Sequence, residues 1–424
     1  MTRGVSWPTA QIADWPIQII DGDRSSNYPK EKDFVGQGVP FLNTTNIRDG
    51  ALDLSDLRFI TQEKWESIKK GRVTPNDVLM TTRGTIGRVA RFKCKYTSAL
   101  INAQMLILRT DAAVLSSDFL YYLLSSEGVQ SALRAYSSGS AQPQIPIRDL
   151  RCVPITVPPL ETQRRIASIL GAYDDLIEVN RRRVTLLEGM ARVLFEEWFV
   201  RFRFPEHEAV PIVDTPDGPL PEGWEHKTIG EAAISVSRGI APRYDEEATT
   251  LVVGQKCIRD SRLNLLLARR QSKAAPPHKS VRPGDILINS TGIGTLGRVA
   301  QAEAVPDELC ADSHVTIVRP MNTADRDYLG ISLIKLQSVF EHLGAGSTGQ
   351  TELSKSSVEA LQIAWPWTAL RKEFGRTVRP MRALVCELQS ANVSLAKSRD
   401  LLLPRLISGQ LSVAAAEREL EDAA

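Results

Sequence analysis

Two glycine-rich segments of this chain carry arginine and hydroxyl side chains at matching positions. The first, Val73–Ala90, reads VTPNDVLMTTRGTIGRVA, and the second, Val281–Ala300, reads VRPGDILINSTGIGTLGRVA. Glycine lets a backbone approach a ligand closely, and arginine makes charge-assisted contacts to phosphate or bidentate contacts to guanine. These segments therefore have the chemistry of a polyanion-binding site. The candidate contact residues within them are Thr82, Arg83, Thr85, Arg88, Ser290, Thr291, Thr295 and Arg298.

Neutral hydrogen-bonding side chains flank both segments and could read the edges of bases. Each also has an alternative interpretation, as a turn residue that satisfies its own backbone. The flanking residues differ between the two halves of the chain, whereas the glycine frame is repeated. This contrast predicts two recognition surfaces for two unlike sequences. The flanking candidates are Asn43, Thr44, Thr45, Asn46, Gln142 and Gln144 in the first half, and Gln255, Lys256, Gln350 and Thr351 in the second.

The distribution of charge favours the same interpretation. The net charge is only +2, so the chain is not a polycation as a whole. Residues 64–95, however, contain nine Lys and Arg against two acidic residues, and residues 254–298 contain nine against two. One such cluster could be an ordinary solvated face. Its recurrence at the equivalent place in both halves favours polyanion binding.

The repeat extends well beyond the glycine-rich segments. The two segments are displaced by 208 to 210 positions, with one two-residue insertion in the second. We align Trp15 with Trp224, residues 47–49 (IRD) with 258–260 (IRD), and Arg109 with Arg319. A period this long indicates duplicated domains, because solenoid units are shorter. At 424 residues and 42% hydrophobic composition, the chain can bury two or more cores.

A long helix is predicted to follow the first β-leaning region. Residues spaced by three and four positions from Gln163 to Trp198 form the heptad pattern of a helix that packs lengthwise on another helix. We call this row the first seam. About 40 residues would span roughly 60 Å, and Asn180, its polar member, would fix the register. The first seam consists of Gln163, Ile166, Leu170, Tyr173, Ile177, Asn180, Val184, Leu187, Ala191, Leu194 and Trp198.

The end of the chain has a similar but less regular seam from Phe374 to Leu402, in which Pro380 is expected to kink or restart the helix. Two long helices with weak individual seams most simply pack against each other in antiparallel fashion. The predicted fold is therefore α+β, with two tandem strand-rich domains, an antiparallel coiled coil and a pseudo-twofold repeat. The predicted boundaries are 1–158 for the first domain, 159–204 for the central helix, 205–365 for the second domain with a linker at 205–225, and 366–424 for the C-terminal helix.

Bulk properties place the chain among ordinary cytoplasmic proteins. There is no apolar run near 18 residues, and the N-terminus lacks the apolar core of a signal peptide. The five cysteines are scattered singly, without CxxC pairs or histidines at metal-ligand spacing. We expect them to be reduced, mostly buried apolar residues.

No convincing catalytic site emerges from the sequence. Residues 292–298 imitate a phosphate-binding loop, but Arg298 replaces the required lysine and Val299 the Ser or Thr. Asp217, Glu225 and Lys227 follow the order of a nuclease motif, yet they lie in or beside a Pro-rich acidic segment. The histidines form no metal or acid–base cluster in sequence, and no cofactor loop follows a strand in a βαβ setting. We therefore predict a non-catalytic protein, with metal-dependent nuclease activity as a discounted alternative.

The chain as a whole resembles the specificity subunits of type I restriction-modification systems. Residues 154–170 (PITVPPLETQRRIASIL) resemble the start of the family's central helix, and residues 186–202 (LLEGMARVLFEEWFVRF) resemble its end. Residues 401–411 (LLLPRLISGQL) resemble the end of its C-terminal helix. GTIGRVA and GTLGRVA are similar to the glycine-rich motif of its target-recognition domains. Residues 366–374, at the start of the second helix, differ in sequence from the start of the first helix.

This resemblance implies a function that spacing alone does not show. Such a subunit binds double-stranded DNA at a bipartite, asymmetric site, and each recognition domain reads one half in the major groove while the helices set the gap. It docks two modification subunits, which bind S-adenosylmethionine and methylate adenine N6, and the assembly recruits up to two restriction subunits that use ATP and Mg²⁺. The chain itself would bind no cofactor. The alternative is a stand-alone or orphan DNA-binding protein without modification partners.

Overall fold

The structure, a computed structural model, describes residues 7–48, 50–138, 143–344 and 352–421. The chain divides into two compact units, one formed by Met1–Glu178 with Asn392–Ala424 and the other by Val179–Ala391. We call residues 9–156 the first module, which lies in the first unit, and residues 225–365 the second module, which lies in the second unit. Among the described residues, every helix is either too short or too polar to span a bilayer.

The first module is built on two sheets. An antiparallel four-stranded sheet has the order β10-β9-β12-β2, and a five-stranded sheet has the order β3-β7-β4-β11-β8, in which β4 and β11 are parallel. The strands are β1 Thr9–Gln11, β2 Ile17–Asp21, β3 Phe34–Val35, β4 Val39–Leu42, β5 Ile47–Arg48, β6 Ala51–Leu52, β7 Arg58–Ile60, β8 Arg72–Val73, β9 Val78–Thr81, β10 Val89–Arg91, β11 Ala99–Ile101, β12 Met105–Thr110 and β13 Pro154–Thr156.

Short helices cover the sheets of the first module. They are α1 Gln62–Ser67, α2 Ser117–Ser125, α3 Glu127–Ala135 and α4 Ile147–Leu150. Ser116 and Ser126 accept hydrogen bonds from backbone N–H groups of the first turns of α2 and α3, which is the usual role of serine at this position. All residues of α2 from Phe119 to Leu124 are buried, so this helix forms the centre of the core.

The central helix, α5, runs from Leu160 to Phe195 and continues as a short π-helical segment, Glu196–Val200. Every residue of the first seam is buried or half-buried, which confirms the heptad pattern read from the sequence. Gln163 is buried at the start of the helix, where its side chain accepts the N–H of Ser116 and donates to the carbonyls of Val114 and Pro158.

The second module repeats the first. Its four-stranded sheet has the order β23-β22-β25-β17, equivalent to β10-β9-β12-β2, and β18 and β24 are parallel as β4 and β11 are. The strands are β14 Ile212–Thr215, β15 Gly218–Pro221, β16 Glu225–Thr228, β17 Ala233–Arg238, β18 Leu251–Val253, β19 Ile258–Arg259, β20 Arg262–Leu263, β21 Arg269–Arg270, β22 Ile286–Asn289, β23 Val299–Gln301, β24 Leu309–Ala311, β25 Val315–Pro320 and β26 Gln362–Trp365. The helices are α6 Ile229–Ala232, α7 Arg326–Lys335, α8 Gln337–Leu343 and α9 Lys355–Ala360.

Strand register corrects one alignment made from the sequence. Ala10 pairs with Ile155 in the first module, and Lys227 pairs with Ile363 in the second. Trp224 is therefore the counterpart of Trp7, and the alignment of Trp15 with Trp224 was wrong. The error arose because a single displacement was assumed, whereas the first module has a longer connection between its second and fourth strands. The segment 205–225, predicted as a linker, contains the hairpin β14–β15.

The second long helix, α10, runs from Thr368 to Ile407 and is followed by α11, Val413–Glu421. It is helical through Pro380, so the helix does not restart there, and the other expected effect of this proline, a kink, stays a prediction. A proline costs one backbone hydrogen bond and a steric clash. Buried residues on both sides, Phe374 and Val378 before it and Val385 after it, hold the helix against its neighbours despite that cost.

The two long helices are antiparallel in both units. In the first unit, Asn392 donates to the carbonyl of Ile177, and Arg399 pairs with Asp174, so residue numbers run in opposite directions. In the second unit, Val184 packs with Val385, and the rings of Phe195 and Phe374 lie 5.9 Å apart. These contacts confirm the predicted α+β fold with a repeated module and an antiparallel helix pair.

A buried ion pair recurs at the same place in both modules. Arg109 in β12 makes two 2.8 Å hydrogen bonds to Asp77, and Arg319 in β25 makes two, of 2.8 and 2.7 Å, to Asp285. Asp77 is 2% exposed and Asp285 is 1% exposed. Hydrogen bonding to these carboxylates raises the pKa of both guanidinium groups above the ordinary arginine value. Each pair connects the start of β9 or β22 to the neighbouring strand, β12 or β25.

We predict that Asp285→Ala destabilises the second module by about 3 to 5 kcal/mol, because the change leaves the mostly buried Arg319 without its counter-charge. The measurement is urea denaturation of the full chain, followed by fluorescence. Asp307→Ala is the matched control, since this aspartate of the second module is exposed, and its variant should unfold at the wild-type midpoint. An Asp285→Ala midpoint equal to that of the control would contradict the structural role of the pair.

Candidate nucleic-acid interface

The first glycine-rich turn joins β9 to β10 and is held by its own backbone. Thr81 donates its N–H to the carbonyl of Arg88 and accepts the N–H of Gly87, both at 2.9 Å. Its hydroxyl accepts the N–H of Arg88 at 3.0 Å and donates to the carbonyl of Thr85. Gly87 has a φ of +78°, and a Cβ there would lie 2.8 Å from Oε1 of Gln130. The positive φ therefore favours glycine at this position.

This turn forms one wall of a surface depression of about 240 Å³. The other wall is the turn that follows β4. Two guanidinium groups, four hydroxyls and an amide line one space, a combination suited to base edges and phosphate oxygens. The depression is lined by Thr44, Thr45, Thr81, Arg83, Gly84, Thr85, Arg88 and Gln104.

The turn after β4 owes its shape to two asparagines. The Asn43 side chain accepts the N–H of Thr45 at 2.8 Å. Asn46 is 3% exposed, and its amide donates to the carbonyls of Asp53 and Asp56 while accepting the N–H of Asn43. Asn43 and Asn46 therefore act as turn residues, which was the alternative interpretation of these positions, and they present Thr44 and Thr45 to the depression.

The second module has the same turn between β22 and β23. Asn289 replaces Thr81, donating its N–H to the carbonyl of Arg298 and accepting the N–H of Gly297, at 2.9 and 2.8 Å. A Cβ at Gly297, whose φ is +80°, would lie 2.7 Å from the backbone nitrogen of Glu341. In each module, the first residue after the strand, Thr82 or Ser290, donates its N–H at 2.8 Å to the residue before β12 or β25. The backbone frame is thus conserved between the two copies.

The side chains on this common frame differ. Gln255 occupies the place of Thr44, Thr291 that of Arg83, and His314 that of Gln104. The Gln255 amide donates to the Thr291 hydroxyl and carbonyl, and the Thr291 hydroxyl lies 2.8 Å from Nδ1 of His314. A threonine and arginine surface in the first module is therefore replaced in the second by a linked Gln–Thr–His cluster.

Most of the predicted contact residues gather at these two places. Arg83, Thr85 and Arg88 lie together with Thr44 and Thr45 around the depression. The remaining candidates that are exposed or half-buried are Asn43, Gln144, Gln255, Lys256, Thr291, Thr295 and Arg298.

Three candidates face the interior instead. Asn46, Thr82 and Ser290 are 3%, 5% and 0% exposed. The Thr82 hydroxyl donates to the carbonyl of Gln104, and the Ser290 hydroxyl bonds to that of Thr316. These three residues support the turns and do not face solvent. Gln142, Gln350 and Thr351 lie outside the described residues.

Two residues of the interface were missed from the sequence. Gln104 and His314 each precede a core strand, β12 or β25, and their N–H groups bond to Asn102 and Asp312 in matching turns. The internal repeat could have identified both residues, because they occupy equivalent positions in the two modules and are unlike polar residues. They were overlooked because the search followed the glycine-rich segments and their sequence neighbours.

Some of the cations counted in the charged clusters contact the protein itself. Lys64 pairs with Asp33, Arg91 with Asp118, and Arg262 with Glu188. Arg72 donates to two backbone carbonyls of its own module. The local excess of positive charge therefore overstates what is available to a polyanion, and Arg83 and Arg88 are the candidate contact cations at the first turn.

The residues of the nuclease-like motif do not form a metal site. Lys227 pairs with Glu225 at 2.9 Å and lies over the ring of Trp365. Asp217 lies in the turn of the β14–β15 hairpin. Within the described ranges there is no group of three or more His, Cys, Asp or Glu side chains placed to hold a metal ion.

Comparison with known proteins gives a consistent result. A family model described as "Type I restriction modification DNA specificity domain" matches residues 18–188. The chain is 27% identical over 423 residues to the type I restriction enzyme MjaIX specificity subunit of Methanocaldococcus jannaschii, covering 94% of each protein. It is 22% identical over 472 residues to the HindI specificity subunit of Haemophilus influenzae, covering 94% of this chain and 100% of that one.

Among solved structures, a type I restriction-modification S subunit from M. genitalium is similar over 96% of this chain and 97% of its own. The TM-score is 0.58 and the sequence identity 17%, so this likeness concerns the fold alone.

We predict that Arg83→Ala weakens binding to the DNA sequence read by the first module by about 1 to 3 kcal/mol and relaxes discrimination at one base pair, as expected for a base contact. Loss of a phosphate contact would weaken binding to all sequences alike. A titration over single-base variants of the site separates these outcomes. Arg151→Ala removes an exposed cation of the same module outside the depression, and it should leave the binding profile unchanged.

Proposed function

We propose that the chain is a type I restriction-modification specificity subunit, which recognises DNA and is not itself catalytic, and that its two modules read the two halves of a bipartite, asymmetric DNA site. The observation that carries this proposal is the pair of glycine-rich turns, which share one backbone frame and carry unlike side chains. Thr44, Arg83 and Gln104 in the first module correspond to Gln255, Thr291 and His314 in the second. Recognition of two half-sites of different sequence requires different contacting side chains on the same backbone frame.

In this proposal the two long helices set the unspecified gap between the half-sites. Each module is joined to the helix pair by polar contacts that limit its movement. In the first unit, the Tyr122 hydroxyl donates to Asp174 of α5 at 2.6 Å, and Arg399 of α10 pairs with the same carboxylate. In the second unit, Arg262 of β20 makes two hydrogen bonds to Glu188 of α5. A module fixed to a continuous helix keeps a fixed position along the DNA.

We further propose that the helix pair docks two methyltransferase subunits. A row of exposed apolar side chains follows α5 and the π-helical segment after it, on one flank of the first seam, at steps of seven, four, three and seven residues. Such a row on a solvated helix is typical of a helix–helix interface. Within the second unit the row consists of Val179, Leu186, Met190, Val193 and Val200.

The chemistry of the assembly then lies in its partners. We propose that the chain holds no cofactor, that the methyltransferase subunits bind S-adenosylmethionine, and that up to two restriction subunits use ATP and Mg²⁺. This division of roles between the chain and its partners is consistent with the low net charge of the chain. A net charge of +2 gives little nonspecific affinity for DNA, because that affinity grows with the number of phosphates neutralised.

The function is tested by mapping N6-methyladenine in DNA from cells that express the chain with its neighbouring methyltransferase gene. Cells lacking only this chain are the comparison. We expect a motif of two short, unlike half-sites separated by a fixed gap, present only with the chain. An active methyltransferase that produces no such motif would favour a DNA-binding protein that acts without modification partners.

We predict that the double substitution of Leu186→Asp and Met190→Asp abolishes co-elution with the methyltransferase subunit. These side chains are 67% and 54% exposed, so the changes spare the fold while placing two charges in an apolar interface. The expected loss of binding is about 3 kcal/mol or more, measured after co-expression by size-exclusion chromatography. Leu266→Asp, at a 74% exposed site in the second module, should co-elute normally. Normal co-elution of the double variant would exclude this face of α5.

A further inference from the structure

The glycine-rich turn of the second module is two residues longer than that of the first. Gly84 is followed directly by Thr85 in the first module, whereas Ile293 and Gly294 intervene between Gly292 and Thr295 in the second. Ile293 is 97% exposed, more than any other large hydrophobic side chain in the described part of the chain. An aliphatic side chain is thus displayed at the tip of a turn whose neighbours are polar.

The tip is held in a defined conformation. The carbonyl of Gly292 accepts the N–H groups of Thr295 and Leu296, at 3.1 and 2.9 Å, which closes a tight turn around Ile293. Arg298 donates to the carbonyl of Gly294 at 2.7 Å. Both flanking glycines have positive φ, of +103° and +71°. Ile293 is therefore projected by a turn that is already ordered, so binding a ligand there requires little further ordering.

The tip belongs to the recognition surface of the second module. A Cβ at Gly292 would lie 2.8 Å from Nε2 of Gln255, so the turn packs directly on the Gln255–Thr291–His314 cluster. Arg298, which braces the tip, occupies the position of Arg88 in the first module. Ile293 therefore extends from the surface that faces DNA in the proposed function.

We propose that Ile293 is a specificity-determining residue that contacts the 5-methyl group of one thymine in the half-site read by the second module. Thymine is the one base that presents a methyl group in the major groove, and aliphatic side chains recognise it by apolar contact. The polar cluster behind the tip would hydrogen-bond to the neighbouring base edges. The glycine-rich turn of the first module has no residue equivalent to Ile293, so its half-site would be read through Arg83, Arg88 and the hydroxyls beside them.

This inference rests on the proposed function and is tested in the complex of the chain with its methyltransferase subunits. The probe is a DNA duplex carrying the mapped bipartite site, in which each thymine of the second half-site is replaced in turn by deoxyuridine, which lacks the methyl group. We expect one replacement to weaken wild-type binding by about 3- to 10-fold, the effect of losing one apolar contact. The Ile293→Ser complex should bind the unmodified duplex more weakly by a similar factor and lose nothing further on that replacement.

Two controls separate the possible failures. Leu266→Ser, at another exposed aliphatic residue of the same module, should retain the wild-type response to deoxyuridine. Replacements in the first half-site should affect wild-type and Ile293→Ser complexes alike. The inference is overturned if no thymine replacement affects the wild type, or if Ile293→Ser responds as the wild type does, while specific binding persists. Absence of preference for the bipartite site in the wild-type complex would instead overturn the proposed function.

Discussion

Each module depends on one buried ion pair, between Asp77 and Arg109 in the first and between Asp285 and Arg319 in the second. The same carboxylates also accept a backbone N–H from the turn before β9 or β22, at 2.7 and 2.8 Å. The pair therefore fixes where the central strand begins and ties it to the neighbouring strand. The glycine-rich turn begins at the other end of β9 or β22, four residues after the aspartate. A buried charge pair that tolerates little displacement thus sets the position of the recognition turn.

The structure separates the residues that hold the frame from those that face outward. The frame is made of backbone hydrogen bonds and positive-φ glycines that are equivalent in both copies, supported from below by buried polar side chains. The outward positions differ between the copies. Gln255 lies where Thr44 lies, and His314 lies where Gln104 lies, on equivalent turns. One frame therefore presents two different surfaces, as the proposed recognition of unlike half-sites requires.

Helices with a regular apolar period were predictable from the sequence. Positions at which tertiary packing offsets a locally unfavourable residue were not. The first seam was visible because an apolar period of three and four residues is a direct consequence of helix geometry. The continuity of α10 through Pro380 was not visible, since packing overrides the local cost. Arg371 is another example: it is 4% exposed, occupies the place of Gln163, and bonds to Asp325 and to the carbonyl of Pro366. Different chemistry at one structural position hid the resemblance between the two helix starts.

The central claim is that each module reads its half-site independently on a shared frame. It is tested most directly by a chain in which residues 229–365 are replaced by residues 12–157, the equivalent part of the first module. The measurement is the N6-methyladenine motif in cells that express this chain with its methyltransferase. The account predicts a motif whose two half-sites both carry the sequence of the original first half-site. Persistence of the original second half-site would contradict it.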